Sequence, residues 1–309
     1  MASIIFKRIT AVFLTCLLLS ACGGSDKSAE NDKLSVVTTT GMIADVVKNV
    51  GKDSVQVQAL MGPGVDPHLY KATQGDLGRL QRADIIFYNG LHLEGKMGEV
   101  FEKLERIKNV VPVAGRIDVS RLLSDPVYKD AHDPHVWFDV KLWSSTIEVV
   151  VEILSNEDPE NAAFYQQNGK DFNTELQLLD NWVRTQISTV PLDKRIMITA
   201  HDAFNYFGRA YNIEVRGLQG ISTLSEFGLK DRVDLVNFIV EKQIKAVFVE
   251  TSVSQKNIDA IIEGCQQKGH DVIVGGYLYS DAMGAEGTPE GTYTGMVRAN
   301  VNTIVKSLR

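Results

Sequence analysis

The sequence predicts an α/β fold of two lobes, each a doubly wound, mostly parallel sheet flanked by helices, joined by one long linking helix. Three observations lead there. Short β-branched apolar runs alternate with helix-period segments, the pattern of parallel strands connected by helical crossovers. The alternation occurs twice, once before residue 158 and again after residue 190. Between the two halves, Phe172, Leu176, Leu179, Val183 and Ile187 keep an unbroken helical spacing.

Taken in order, the chain opens on an export signal: Lys7 and Arg8 precede an apolar run from Ile9 to Leu19, too short to span a bilayer comfortably. Residues 1–21 are therefore expected to leave the mature protein. Leu19-Ser20-Ala21-Cys22-Gly23-Gly24 resembles a bacterial lipobox, which implies cleavage before Cys22 and a lipid on its thiol; the alternative is an ordinary signal peptide cut near Ala21. Residues 22–33 are polar and read as a flexible tether.

The formal charge of −7 becomes more negative once Lys7 and Arg8 are removed, which argues against nucleic acid and against a polybasic membrane patch. A cation suits it better. Of the 3 cysteines, Cys16 leaves with the signal and Cys22 is taken by the lipid, so Cys265 has no partner and no intrachain disulfide framework exists.

The first lobe, 34–157, has strand-length runs at Leu34 to Thr39, Val55 to Leu60, Asp84 to Tyr88 and Val110 to Val113, with helices at Met42 to Val50 and Leu77 to Arg82. The linking helix, 158–190, begins at Asp158-Pro159, a plausible cap and first turn, and ends before Pro191. About thirty helical residues span about 45 Å. Gly169 costs about 1 kcal/mol relative to alanine and is the one weak point in a helix otherwise expected to be uninterrupted. The second lobe, 191–309, repeats the scheme: strands at Arg195 to Thr199, Ile213 to Gly217, Ala246 to Glu250 and Asp271 to Gly275, and helices at Asp202 to Tyr211, Leu229 to Gln243 and Gln255 to Lys268.

One tripeptide occurs twice, as Asp66-Pro67-His68 and Asp133-Pro134-His135. Proline fixes one torsion and pushes the preceding residue to an extended form, so each imidazole projects from a stiffened loop. The aspartate two residues earlier is placed to accept the second ring N–H, the support that metal-binding imidazoles usually have. Asp66 and Asp133 are thus candidate supports.

Ligands of parallel sheets bind outside the carboxyl ends of the strands. By that rule His68, His135, His201 and Asp281 share one rim, two from each half, in the cleft between the lobes. Taken singly each has a bland reading, His201 as a core histidine and Asp281 as a turn residue; the case rests on all four sharing a rim. His270 precedes a strand and falls at the opposite rim. His92 is on the correct rim but flanked by leucines, and His132 reads as solvated or as shaping its loop. Three imidazoles and a carboxylate suit Zn²⁺, and admit Mn²⁺ or Fe²⁺ if the carboxylate binds through both oxygens.

These residues sit in longer motifs: Gly64-Val65-Asp66-Pro67-His68, Ala83-Asp84 with Asn89-Gly90-Leu91 and Leu93-Glu94-Gly95, Asp133-Pro134-His135-Val136-Trp137, Thr199-Ala200-His201-Asp202-Ala203-Phe204, Gln219-Gly220-Ile221-Ser222-Thr223, and Tyr279-Ser280-Asp281-Ala282-Met283-Gly284. Together they resemble the TroA-like group, the zinc- and manganese-binding solute-binding lipoproteins of bacterial ABC transporters, over nearly all of the mature chain. The resemblance implies a metal held between two lobes by His68, His135, His201 and Asp281, and delivery to a membrane permease. Manganese-favouring members often carry glutamate where this chain has His201, and dedicated zinc binders often carry a His-rich loop that is missing here between Ala114 and Asp130. Val140 stands where the family commonly has proline.

The expected mechanism is capture without catalysis by a monomer anchored to the membrane through its N-terminal lipid. Small residues around Asp281 (Ser280, Ala282, Gly284 and Ala285) suggest that Asp281 swings away on release. Two rivals come from other classes: a zinc metallohydrolase with Asp281 or Glu250 as general base, and a surface adhesin for which metal is only structural.

Overall fold

Neighbouring residues of the central strands enter different cores, which is why those strands read as continuous apolar runs rather than as alternating ones. The computed structural model describes residues 33–125, 130–224 and 228–309. The export signal, Cys22 and the tether up to residue 32 lie outside the described residues. Leu34–Arg309 forms one compact unit.

In the first half, β1 (Leu34–Thr38), β2 (Val55–Ala59), β3 (Ile85–Tyr88) and β4 (Asn109–Pro112) form a parallel sheet in the order β2-β1-β3-β4. Val36 pairs with Val57 on one side and Ile85 on the other. In the second half, β5 (Ile196–His201) pairs with β6 (Glu214–Gln219), and β7 (Ala246–Glu250) with β8 (Ile273–Leu278), all parallel. One continuous sheet was expected there, but the strands form two hydrogen-bonded pairs, with β5 lying beside β7. At their carboxyl ends a side chain replaces the ladder, since Glu250 Oε1 accepts the backbone N–H of His201 at 2.8 Å.

The helices are α1 (Gly41–Gly51), α2 (Gln74–Arg82), α3 (Gly98–Leu104), α4 (Val140–Trp143), α5 (Thr146–Glu157), α6 (Ala162–Ser188), α7 (Asn205–Tyr211), α8 (Leu229–Glu241), α9 (Lys256–Gln267) and α10 (Tyr293–Leu308). Among the described residues no helix is long and apolar enough to cross a membrane. Asp139 caps α4 by accepting the N–H of Leu142 at 3.0 Å, so Val140 in place of proline leaves that start intact.

The linking helix is α6, preceded by a single 3-10 turn at Pro159–Asn161. Tyr165, Gly169, Phe172, Leu176, Leu179, Val183 and Ile187 form its buried stripe. As expected of one long linking helix, it runs straight through Gly169. A Cβ there would lie 2.6 Å from Cγ2 of Val151 on α5, so the glycine serves the close approach of two helices.

Three apolar clusters make the layers. One contains Val36, Ile85 and Phe87 from the first sheet, Trp137 and Trp143, the stripe of α6, Met197 and Phe248 from the second half, and Tyr293 and Met296 of α10. It therefore passes through both lobes. Val37 and Ile86 enter a second cluster on the far side of the first sheet. Ile198, Val247 and Val249 enter a third, under α8 and α9.

Candidate metal centre

Four loops or strand ends at one rim supply the site. His68 follows β2, His135 follows β4 and immediately precedes a 3-10 turn (Val136–Phe138), His201 ends β5, and Asp281 follows β8. All four side chains are buried, and one donor atom from each lies within 4.8 Å of the others. Nε2 of His68 is 3.3 Å from Nε2 of His135, which is 3.4 Å from Asp281 Oδ1. Nε2 of His201 is 3.3 Å from Asp281 Oδ2, and that of His68 is 4.0 Å from it. A tetrahedral ion bound at about 2.0–2.1 Å has ligand–ligand edges of about 3.3 Å. The cluster has that size.

The bonding is as telling as the distances. Neither carboxylate oxygen of Asp281 has a hydrogen-bond partner, nor does Nε2 of His201, although all are buried; Nδ1 of His201 and Oε2 of Glu250 meet as a close ion pair and not as an aligned hydrogen bond. Buried polar atoms normally have partners, and an orphaned carboxylate costs several kcal/mol unless a cation meets it.

Each imidazole is held differently. Asp133 Oδ1 lies 2.7 Å from Nδ1 of His135 and also accepts its backbone N–H at 3.0 Å. Asp66 was expected to do the same for His68, but its Oδ1 accepts the backbone N–H of His68 at 2.8 Å and its Oδ2 accepts the hydroxyl of Thr223 at 2.6 Å. The Asp66 loop is extended enough to bond across the cleft. The support for His201 is Glu250, whose Oε2 lies 2.5 Å from Nδ1. Sequence reasoning considered Glu250 only as a base at the ion, whereas it is buried behind His201. A charged residue closing an otherwise apolar strand, on the same rim as the histidines, was the available signal.

Charge follows geometry. Burial drives His68 down to about 3, with His135 and His201 adding to the effect and Asp281 opposing it. Burial also disfavours the charged form of His135, but Asp133 and Asp281 outweigh it and lift this imidazole to about 9. For His201, Glu250 and Asp281 overcome burial and raise it well above 6.5. Against the pull of burial, His201 and His135 hold Asp281 well below 3.8. Without a cation, protons on two imidazoles balance the buried carboxylates.

The loops are braced from both lobes. Asn89 Nδ2 donates to the carbonyl of Pro134 at 3.0 Å, and buried Glu94 accepts from Asn89 N at 2.7 Å and Thr39 Oγ1 at 2.6 Å. Tyr206 donates to the carbonyl of Asp133 at 2.9 Å. Trp137 Nε1 donates to the carbonyl of Ser280 at 3.0 Å, and Ser252 and Ser280 hydroxyls are 2.8 Å apart. Around Asp281, expected to be loose from its small residues, Ser280 and Ala282 are buried and the Ser280 carbonyl is tied to the His135 loop, while Gly284 is half-buried and Ala285 exposed. The remaining histidines stand apart: His92 is exposed with φ 64°, His132 is half-buried and bridges to Ser124, and His270 Nε2 contacts the carbonyl of Ile244 at 2.6 Å.

A family model described as "ZnuA: Zinc-uptake complex component A periplasmic" matches residues 36–307. The chain belongs to this zinc-uptake family. Within the family and its neighbours, it is 48% identical over 303 residues to "Manganese-binding lipoprotein MntA" of Bacillus subtilis (strain 168), covering 97% of this chain and 98% of that one. It is likewise 48% identical over 306 residues to "Zinc-binding protein TroA" of Treponema pallidum (strain Nichols), covering 98% of each. The solved structure of the periplasmic zinc-binding protein TroA from Treponema pallidum superposes with a TM-score of 0.87 at 50% identity, over 89% of this chain and 99% of that one. The TroA-like resemblance and the two-lobed α/β architecture with its long helix thus hold for this chain.

Proposed function

We propose that this protein is the extracytoplasmic metal-capturing component of an ABC importer, holding Zn²⁺ or Mn²⁺ through His68, His135, His201 and Asp281 and handing it to the membrane permease. One observation carries the reading: Asp281, buried among three imidazoles, has both oxygens free of hydrogen bonds. The ion is cargo and not a reagent. Four converging side chains fill a tetrahedral sphere and leave no position for an activated water, and Glu250, like Asp133, lies behind a histidine and not at the ion. Three nitrogens and one oxygen favour zinc over manganese on intrinsic affinity.

The same reading takes residues 1–21 as a signal, Cys22 as the lipidated residue, 22–33 as the tether, and 34–157, 158–190 and 191–309 as the first lobe, linking helix and second lobe of a monomer. The decisive experiment measures metal content and competitive zinc and manganese affinities of the purified protein, wild type and His201→Glu. About one equivalent of metal, with selectivity moving towards manganese in the variant, is the expected result. A protein that holds no transition metal would overturn the reading.

A further inference from the structure

Glu250 makes two contacts with one ligand residue. Its Oε1 accepts the backbone N–H of His201 at 2.8 Å, and its Oε2 lies 2.5 Å from Nδ1 of the same residue. Both residues are buried, at 2% and 0% exposure, so no water competes for either atom. A carboxylate offers only acceptors. At such a separation the arrangement is free of lone-pair repulsion only when Nδ1 carries a proton. With a proton held on Nδ1, it is Nε2, the nitrogen 3.3 Å from Asp281, that gives up its proton and becomes the lone-pair donor when a cation binds. Asp133 holds the same two atoms of His135, the backbone N–H and Nδ1, but through the single oxygen Oδ1.

We infer that Glu250 is the positioning residue that fixes the tautomer and orientation of His201, and so makes that histidine a metal ligand. The inference deepens the proposed function and rests on it for the cargo. The proton on Nδ1 is a property of the protein alone.

The amide variant gives a sharp expectation. In Glu250→Gln the backbone N–H of His201 can only donate, so the amide oxygen must face it. The amide NH₂ then faces Nδ1, which has to accept, and the ring proton moves to Nε2, the atom that should bind metal. Glutamine is nearly isosteric with glutamate, yet it selects the wrong tautomer.

The test has two arms on the full chain. Long-range ¹H–¹⁵N spectra of the imidazoles in metal-free protein are expected to show His201 Nδ1 protonated in the wild type and unprotonated in Glu250→Gln. Zinc competition titrations are expected to show a loss on the order of 10–100-fold in the variant, with the visible spectrum of bound Co²⁺ altered from that of the wild type. An isosteric change acting only on packing would leave the Co²⁺ spectrum and the ring tautomer alone. If the variant keeps Nδ1 protonated, or binds zinc within about threefold of wild type, the inference is overturned. If the wild type shows the expected tautomer but binds no zinc or manganese, the proposed function fails while the positioning role stands. Should Glu250→Gln not fold, the metal-free wild type is read alone, and an unprotonated Nδ1 on His201 there overturns the inference.

Discussion

At the scale of single residues, the site is governed by competition between protons and the ion. His135 keeps its proton to about 9 in the cation-free protein because Asp133 and Asp281 outweigh burial. Binding must expel that proton, so below about pH 9 each displaced proton lowers apparent affinity about tenfold per pH unit. An unperturbed imidazole would give a fall only through about pH 6 to 7. Stability without metal should move the other way. A folded-state value raised above about 6.5 adds stability that is fully present below about pH 6.5 and is lost as pH rises through about 9. Chelator competition and metal-free melts across that interval should therefore trend in opposite directions. An affinity already flat above neutrality would remove Asp133 and Asp281 as the cause.

Between elements, the sign of a substitution depends on neighbours that no periodic pattern reveals. Gly169→Ala in an isolated helix would gain about 1 kcal/mol. Here the new Cβ would meet Val151 Cγ2 at 2.6 Å and Ile147 Cγ2 at 3.3 Å. Valine is stiff at χ1 in a helix, and overpacking costs about 1–3 kcal/mol, so the variant should melt lower. Adding Val151→Ala should restore it; a stabilised single variant would mean that α5 and α6 part easily. Trp137→Phe tests the second kind of contact. It leaves the buried carbonyl of Ser280 without the indole N–H, at a cost of about 1–3 kcal/mol, and should weaken metal binding by loosening Asp281 from His135. Unchanged affinity with a lowered melting temperature would confine Trp137 to packing. These cases mark what the sequence could carry. The rim set of three histidines and Asp281 was legible because strand ends are legible, and the stripe of α6 because its period is. Glu250 behind His201, Gly169 against α5, the Asp66 bond to Thr223 and the bracing of the Asp281 loop are single contacts between distant segments, and a single contact leaves no repeat to read. The helix α10 was missed although its apolar positions are periodic, because the expected scheme ended with the last strand.

For the whole molecule, the decisive feature is that the strands of the two halves share their inner core. Val36 and Phe87 of the first half and Met197 and Phe248 of the second lie in one cluster with the stripe of α6 and with Tyr293 of α10. Neither lobe buries its inner face without the other, so the lobes should not unfold separately. The same cluster is apolar and independent of the ion. Chelation should therefore leave a folded protein that melts in one transition at a lower temperature. At free metal near 1,000 times Kd, binding adds about 4.1 kcal/mol to stability, and removing it takes away that amount and no more. Calorimetry with and without chelator, read together with circular dichroism, checks both halves of the argument. Two resolved transitions would show that the shared core does not couple the lobes. Loss of secondary structure on chelation at ambient temperature would make the ion structural, as in the adhesin alternative, because an ion needed to maintain the fold cannot be surrendered to a permease at each cycle.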